Sequence, residues 1–311
     1  MSIIERVADL LESVPQPQRK PPAAGREAGP LEPNRIERAA GDMSLRIDSA
    51  GDKDLAAESK TWPALPADTT ARIHRIDPER LRRQSMITPD GERTPIAEGF
   101  RRIKRRILTN VDNPRDGVPA NLVLVTSSLA GEGKTFCAIN LAISIALEID
   151  HTVLLVDADV AKPSIPQALG LEAEKGLMDV LLDRRIDLAE VLCRTDIGKL
   201  TLLPAGAAHR RATELLASEA MRELLQEMAA RYHDRIIIFD SPPLLAASEA
   251  GVLASRMGQI VMVVEAGKTT EATLRDALGR IESSNVAGLL LNKGEGSRLG
   301  YYYGGYGQGA K

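Results

Sequence analysis

Residues 122 to 135 read Leu122-Val123-Leu124-Val125-Thr126-Ser127-Ser128-Leu129-Ala130-Gly131-Glu132-Gly133-Lys134-Thr135. An apolar run of strand length passes through a loop of small residues into a helical pattern that begins near Phe136. That succession is the context a phosphate-binding P-loop requires. Gly131 and Gly133 allow backbone N–H groups to turn inward, and the following helix presents a partial positive charge of about +0.5 at its N-terminus. Lys134 has the place to bridge β- and γ-phosphates, and Thr135 to offer a hydroxyl to Mg²⁺. The candidate nucleotide contacts are therefore Ser128, Gly131, Glu132, Gly133, Lys134, Thr135 and Phe136. The strict motif begins with Gly where this chain has Ser128.

Two further strand ends point to the same chemistry. Val153-Leu154-Leu155-Val156 ends in Asp157-Ala158-Asp159, and side chains two apart on an extended chain face the same way. Two carboxylates converging at the carboxyl edge of a parallel sheet repel each other unless a cation lies beside them. A capped surface turn is the plainer alternative. Arg235-Ile236-Ile237-Ile238-Phe239 ends in Asp240-Ser241-Pro242-Pro243, the form of a Walker B strand whose carboxylate holds Mg²⁺. Pro-Pro is also an ordinary strand terminator. The metal candidates are Thr135, Asp157 and Asp240. Asn292 ends a further apolar run and either presents its amide to adenine or simply closes the strand.

Working outward, apolar runs at 122–126, 152–157, 200–203, 235–240, 259–264 and 286–291 alternate with helical patterns, clearest over 136–147 and 218–232. This predicts an α/β fold: a P-loop NTPase with a mostly parallel sheet flanked by helices, its core between 121 and 292. Helical pieces over 72–86, around Leu81, and over 94–108 precede that core. Residues 14–70 lack an apolar period and read as a disordered linker. Residues 1–14 form a short amphipathic pattern, a docking helix for another protein, with self-association or fraying as alternatives. The domain limits follow as 1–14, 15–70, 71–292 and a flexible tail from 293 to 311.

The formal charge of -3 gives no reason to expect nucleic acid. Residues 71–106 hold 11 Lys/Arg against 5 Asp/Glu, a basic stretch suited to an acidic partner, a lipid surface, a neighbouring subunit or simply to solvent. Two cysteines, Cys137 and Cys193, make no disulfide framework or metal cluster, which fits a reducing cytosol. No uncharged run approaches the roughly 20 apolar residues that cross a bilayer. Four of the five tyrosines, Tyr301, Tyr302, Tyr303 and Tyr306, fall in the last 11 residues, where a core aromatic has no place.

The series Gly131-Glu132-Gly133-Lys134-Thr135, Asp157-Ala158-Asp159 and Asp240-Ser241-Pro242-Pro243 resembles the bacterial tyrosine kinases, a branch of the MinD/ParA-like P-loop ATPases, over about residues 90 to 311. Leu129 and Ala130 stand where partitioning ATPases carry a lysine, which favours the kinase branch. The resemblance implies a protein-tyrosine kinase that uses ATP and Mg²⁺ and autophosphorylates Tyr301, Tyr302, Tyr303 and Tyr306. On that reading Lys134, Asp157 and Asp159 are the catalytic candidates. Glu98, Arg101 and Lys104 are similar to the family's Glu-x-x-Arg-x-x-Arg motif for ring assembly, with Lys104 in the last place. Lys does not reproduce the planar fork of Arg. The stretches at 1–5, 87–91 and 159–163 look like the autokinases of exopolysaccharide loci with exosortase systems. That likeness implies a cytoplasmic chain, held at the inner membrane by a chain-length regulator, that regulates exopolysaccharide polymerisation and export. A MinD/ParA-like ATPase switch and a non-catalytic nucleotide-bound scaffold are the rival readings.

Overall fold

The computed structural model describes residues 73–91, 93–114, 117–231, 235–281 and 286–294. The amphipathic pattern at 1–14, the linker reading of 15–70 and the four tail tyrosines lie outside these residues. Among the described residues eight strands form one sheet: β1 (Ile73–His74), β2 (Leu122–Ser127), β3 (Thr152–Asp157), β4 (Cys193–Thr195), β5 (Leu200–Leu203), β6 (Arg235–Asp240), β7 (Gln259–Glu265) and β8 (Val286–Asn292). Their order is β1-β4-β5-β3-β6-β2-β7-β8, and every neighbouring pair is parallel except β4 with β5. All six residues of β2 are buried, as are five of six in both β3 and β6. Burial on both faces is why these strands read as continuous Val/Ile/Leu runs instead of alternating patterns.

Ten helices accompany the sheet among the described residues: α1 (Pro78–Arg83), α2 (Pro95–Asp112), α3 (Lys134–Ala146), α4 (Ile165–Leu169), α5 (Leu177–Leu182), α6 (Leu188–Val191), α7 (Ala212–Ala217), α8 (Glu219–Arg231), α9 (Ser248–Ala254) and α10 (Glu271–Gly279). Every residue of α3 from Cys137 to Ala146 is buried. A helix apolar all round must be covered on all sides. The sheet covers one side, and α2 packs on another through Phe100 and Ile107. Phe100 meets Phe136 of α3 edge to face, centroids 6.5 Å apart at 60°, a contact worth about 0.5–1.5 kcal/mol beyond its buried area.

The core reaches further toward the N-terminus than the apolar runs suggest. Ile76, Leu81, Met86 and Ile87 lie in the same cluster as α3. Buried Asn140 fastens them: its Oδ1 accepts the Ile87 N–H at 2.7 Å, while its Nδ2 donates to the Phe136 carbonyl at 2.8 Å. The Arg80 guanidinium donates to the carbonyls of Ala168 and Gln167, satisfying the end of α4. The expected helix over 72–86 shrinks to six residues behind a two-residue strand. Its reason is local: the residue before a proline avoids helical geometry, so Asp77 becomes the N-cap, accepts the Glu79 N–H at 2.9 Å, and leaves Ile73 and His74 extended.

Candidate active site

β2 delivers its loop to the carboxyl edge of the sheet. Gly131 (φ 87°) and Gly133 (φ 95°) take the left-handed conformation on either side of Glu132. A Cβ at Gly133 would stand 2.0 Å from Asn292 Nδ2, so a side chain there must displace that amide as well as hold a left-handed φ. Thr94 caps α2 and Thr270 caps α10 with their hydroxyls, but α3 has Gly133 as N-cap and no side-chain cap. Its first N–H groups therefore depend on another acceptor.

Glu132 turns its carboxylate into the protein, so any nucleotide contact it makes falls to its backbone N–H. Oε2 accepts the Leu129 N–H at 2.8 Å, Oε1 accepts the Thr269 hydroxyl, and the residue is 2 % exposed. It braces the loop against the turn after β7. The Leu244 N–H donates to the Ser127 carbonyl at 2.8 Å, and the Leu245 N–H to the Ser128 carbonyl at 3.2 Å. These bonds join the loop to the exit of β6.

The charged groups gather at the loop's end. Thr135 Oγ1 donates to Asp240 Oδ2 at 2.6 Å and lies 3.2 Å from Ser164 Oγ. Asp157 and Asp240 are register partners on adjacent strands. Asp157 Oδ2 accepts the N–H groups of Ser164 and Ile165, each at 3.0 Å. β3 ends at Asp157, and Asp159 just past it lies near enough for its charge to act on Asp157 and Asp240. Its carboxylate is 2.7 Å from the Lys134 ammonium, with both side chains largely buried.

Asp157 Oδ1, Asp240 Oδ1 and Ser128 Oγ are buried with no hydrogen-bond partner. Burial pushes the Asp240 carboxyl up to about 7 against the opposing pull of Lys134 and Thr135, and the Asp157 carboxyl up to about 6 despite its two backbone donors. A divalent cation reverses such shifts. Hard cations take oxygen donors, and two unsatisfied carboxylate oxygens near a threonine hydroxyl are the donors Mg²⁺ prefers. No group of three or more His, Cys, Asp or Glu capable of holding a metal occurs among the described residues, so phosphate and water would complete any such coordination.

Other candidates have different surroundings from those expected. The Phe136 ring is engaged with Phe100. The Asn292 amide donates to the Glu132 carbonyl at 2.9 Å. On α2, Glu98 pairs with Arg101 at the surface, whereas Lys104 turns inward to Glu148 and donates to the Ser144 carbonyl at 3.1 Å. Lys104 thus joins α2 to the end of α3 within one subunit. Ser164, Thr269 and Lys293 escaped notice because no motif or period connects them to the loop. Burial also pushes the Cys137 thiol, one turn inside α3, up to about 12. Cys137 is therefore expected to resist iodoacetamide at pH 8 in the native protein and to react on unfolding. Mass spectrometry of tryptic peptides checks this, and rapid native alkylation would contradict it.

This fold and loop define a P-loop nucleotide-binding domain. A family model described as an AAA domain matches residues 121–282, just over half the chain. The chain is 34 % identical over 203 residues to the tyrosine-protein kinase YwqD of Bacillus subtilis (strain 168), a match covering 64 % of this chain and 84 % of YwqD. It is 34 % identical over 229 residues to the succinoglycan biosynthesis transport protein ExoP of Rhizobium meliloti (strain 1021), covering 71 % of this chain and only 28 % of ExoP. The solved structure of the chimerical protein CapA2B2 superposes with a TM-score of 0.57 at 26 % identity, covering 64 % of this chain and 85 % of that one. The chain belongs to this P-loop family and, within it, to the bacterial tyrosine-protein kinases. Among the described residues no helix is long and apolar enough to cross a membrane.

Proposed function

We propose that this kinase transfers the γ-phosphoryl group of ATP to Tyr301, Tyr302, Tyr303 and Tyr306 of a neighbouring subunit, regulating exopolysaccharide polymerisation and export with a membrane chain-length regulator. The observation that carries the chemistry is the meeting of Lys134, Thr135, Asp157, Asp159 and Asp240 at one end of the P-loop. The succinoglycan role in the name of ExoP supports the polysaccharide setting. The tyrosine-rich composition of residues 301–306 supports the acceptor.

In the reaction the tyrosine oxygen forms a bond to the γ-phosphorus as the bond to the β–γ bridging oxygen breaks, and ADP leaves. Lys134 exchanges Asp159 for phosphate oxygens and stabilises the charge they carry. Backbone N–H groups of the loop and of the first turn of α3 hold the phosphates in line. Thr135, Asp240 and Asp157 would hold Mg²⁺. When bound, the ion neutralises charge on the β- and γ-phosphates. Asp157 orients the tyrosine hydroxyl or accepts its proton, and Asp159 is a second metal or base candidate. Tyrosine's reference pKa of about 10 makes such a base necessary near neutrality.

Incubation of the full chain with Mg-ATP, followed by intact mass and phosphopeptide mapping, tests the proposal. Added phosphoryl groups on the four tail tyrosines are expected, reduced about 10²-fold or more in rate by Asp157→Asn. Release of inorganic phosphate without phosphotyrosine would point to an ATPase switch. Bound nucleotide without turnover would point to a scaffold.

A further inference from the structure

The end of β8 grips the phosphate-binding loop from behind. Asn292 Nδ2 donates to the Glu132 carbonyl at 2.9 Å. The next residue, Lys293, donates from its ammonium to the Gly131 carbonyl at 2.6 Å and lies 3.3 Å from Glu265 Oε1. In a trans peptide the C=O and the following N–H point in opposite directions, and no described peptide bond is cis. Holding the carbonyls of Gly131 and Glu132 on the β8 side therefore turns the N–H groups of Glu132 and Gly133 to the other side. With left-handed glycines flanking Glu132, those successive N–H groups form a concave anion-binding nest.

Lys293 itself has φ 58°, a conformation that side-chain-bearing residues seldom adopt. Glycine would take that backbone without strain. The lysine there supplies the long cationic side chain that reaches Gly131.

We propose that Lys293, with Asn292, is a positioning residue for the nucleotide phosphates, acting through two loop carbonyls. This rests on the P-loop reading and extends it to a lysine outside the motif. The Lys293 side chain is 47 % exposed, so solvent screens its charge and the effect belongs at the low end for a charge-assisted hydrogen bond.

The test is titration of full-length protein with a fluorescent ADP analogue and Mg²⁺, alongside kinetics of tail phosphorylation. Lys293→Met is expected to weaken ADP binding about tenfold and to raise the KM for ATP by a similar factor, with kcat little changed, because uniform phosphate binding is what is lost. Lys293→Arg should restore most of the affinity, and ligand-free melting temperatures should agree among the three proteins. Wild-type affinity in Lys293→Met would overturn the inference. So would equal weakening in the Met and Arg variants accompanied by lower melting temperatures, which indicates support of the fold alone. Failure of the wild type to bind Mg-ADP would instead reject the nucleotide reading itself, before any variant is compared.

Discussion

Lys134→Met should lower tyrosine phosphorylation by about 10²–10³-fold, the scale of removing one preorganised charge stabiliser from a reacting group. The substitution keeps an unbranched side chain one atom shorter and removes its cation. It also strands the Asp159 carboxylate, whose side chain is 7 % exposed and whose ion-pair partner is the Lys134 ammonium. Breaking a buried pair on one side costs about 3–5 kcal/mol, so a lower melting temperature accompanies the loss of activity. The double variant Lys134→Met/Asp159→Asn separates the two effects. It should recover part of the lost stability, because the Asp159 charge is no longer stranded although Asp240 and Asp157 still lose the pull of Lys134, and none of the lost activity. Recovery of phosphorylation in the double variant, or full phosphorylation in the single one, would remove Lys134 from the mechanism.

Gly133→Ala is the second large effect. The new methyl group would lie 2.0 Å from Asn292 Nδ2, and the residue would have to hold φ near 95°. The left-handed conformation alone costs an L-residue about 1–2 kcal/mol. Relief comes only by displacing Asn292, which frees the Glu132 carbonyl and lets the neighbouring N–H groups rotate away from the phosphates. A shift of about 1 Å in such a site costs on the order of 10²-fold in rate. Nucleotide titration, melting and phosphorylation assays should all fall together. Wild-type nucleotide affinity in this variant would show that the loop does not need its Gly133 geometry. At Gly131 nothing lies within 4 Å of the added Cβ, so Gly131→Ala incurs the backbone strain without the collision and should be the milder change.

What could be read in advance was what burial writes into consecutive residues. β2, β3, β6 and β7 are covered on both faces, so each appears as an apolar run whose end marks the ligand edge. Asp157 and Asp240 were legible because each closes such a run, and Lys134 and Thr135 because the glycine-rich loop after β2 leads to them. β1 and β4, of two and three residues, carry too little pattern to register. The pairing of Arg80 with α4 and that of Glu132 with Thr269 join residues 88 and 137 positions apart, and no local period encodes such meetings. Glu132 and Phe136 were found through the motif around them, and Asn292 at the end of an apolar run. Their side chains nevertheless brace and pack the loop, because a motif specifies the backbone path and leaves side-chain directions to the tertiary neighbours.

The interleaved strand order has a kinetic consequence. β2 carries the loop but lies between β6 and β7, pairing Val125 with Asp240 and Ser127 with Val263. Closing such separations incurs loop entropy before any contact rewards it, so sheets of this kind assemble slowly. No stretch of consecutive residues can form the phosphate site alone. Acquisition of nucleotide affinity should therefore be a late event in refolding, following the bulk of helix formation. A ligand that recognises only the finished sheet also draws the chain toward its native state by mass action, through RT ln(1 + [L]/Kd).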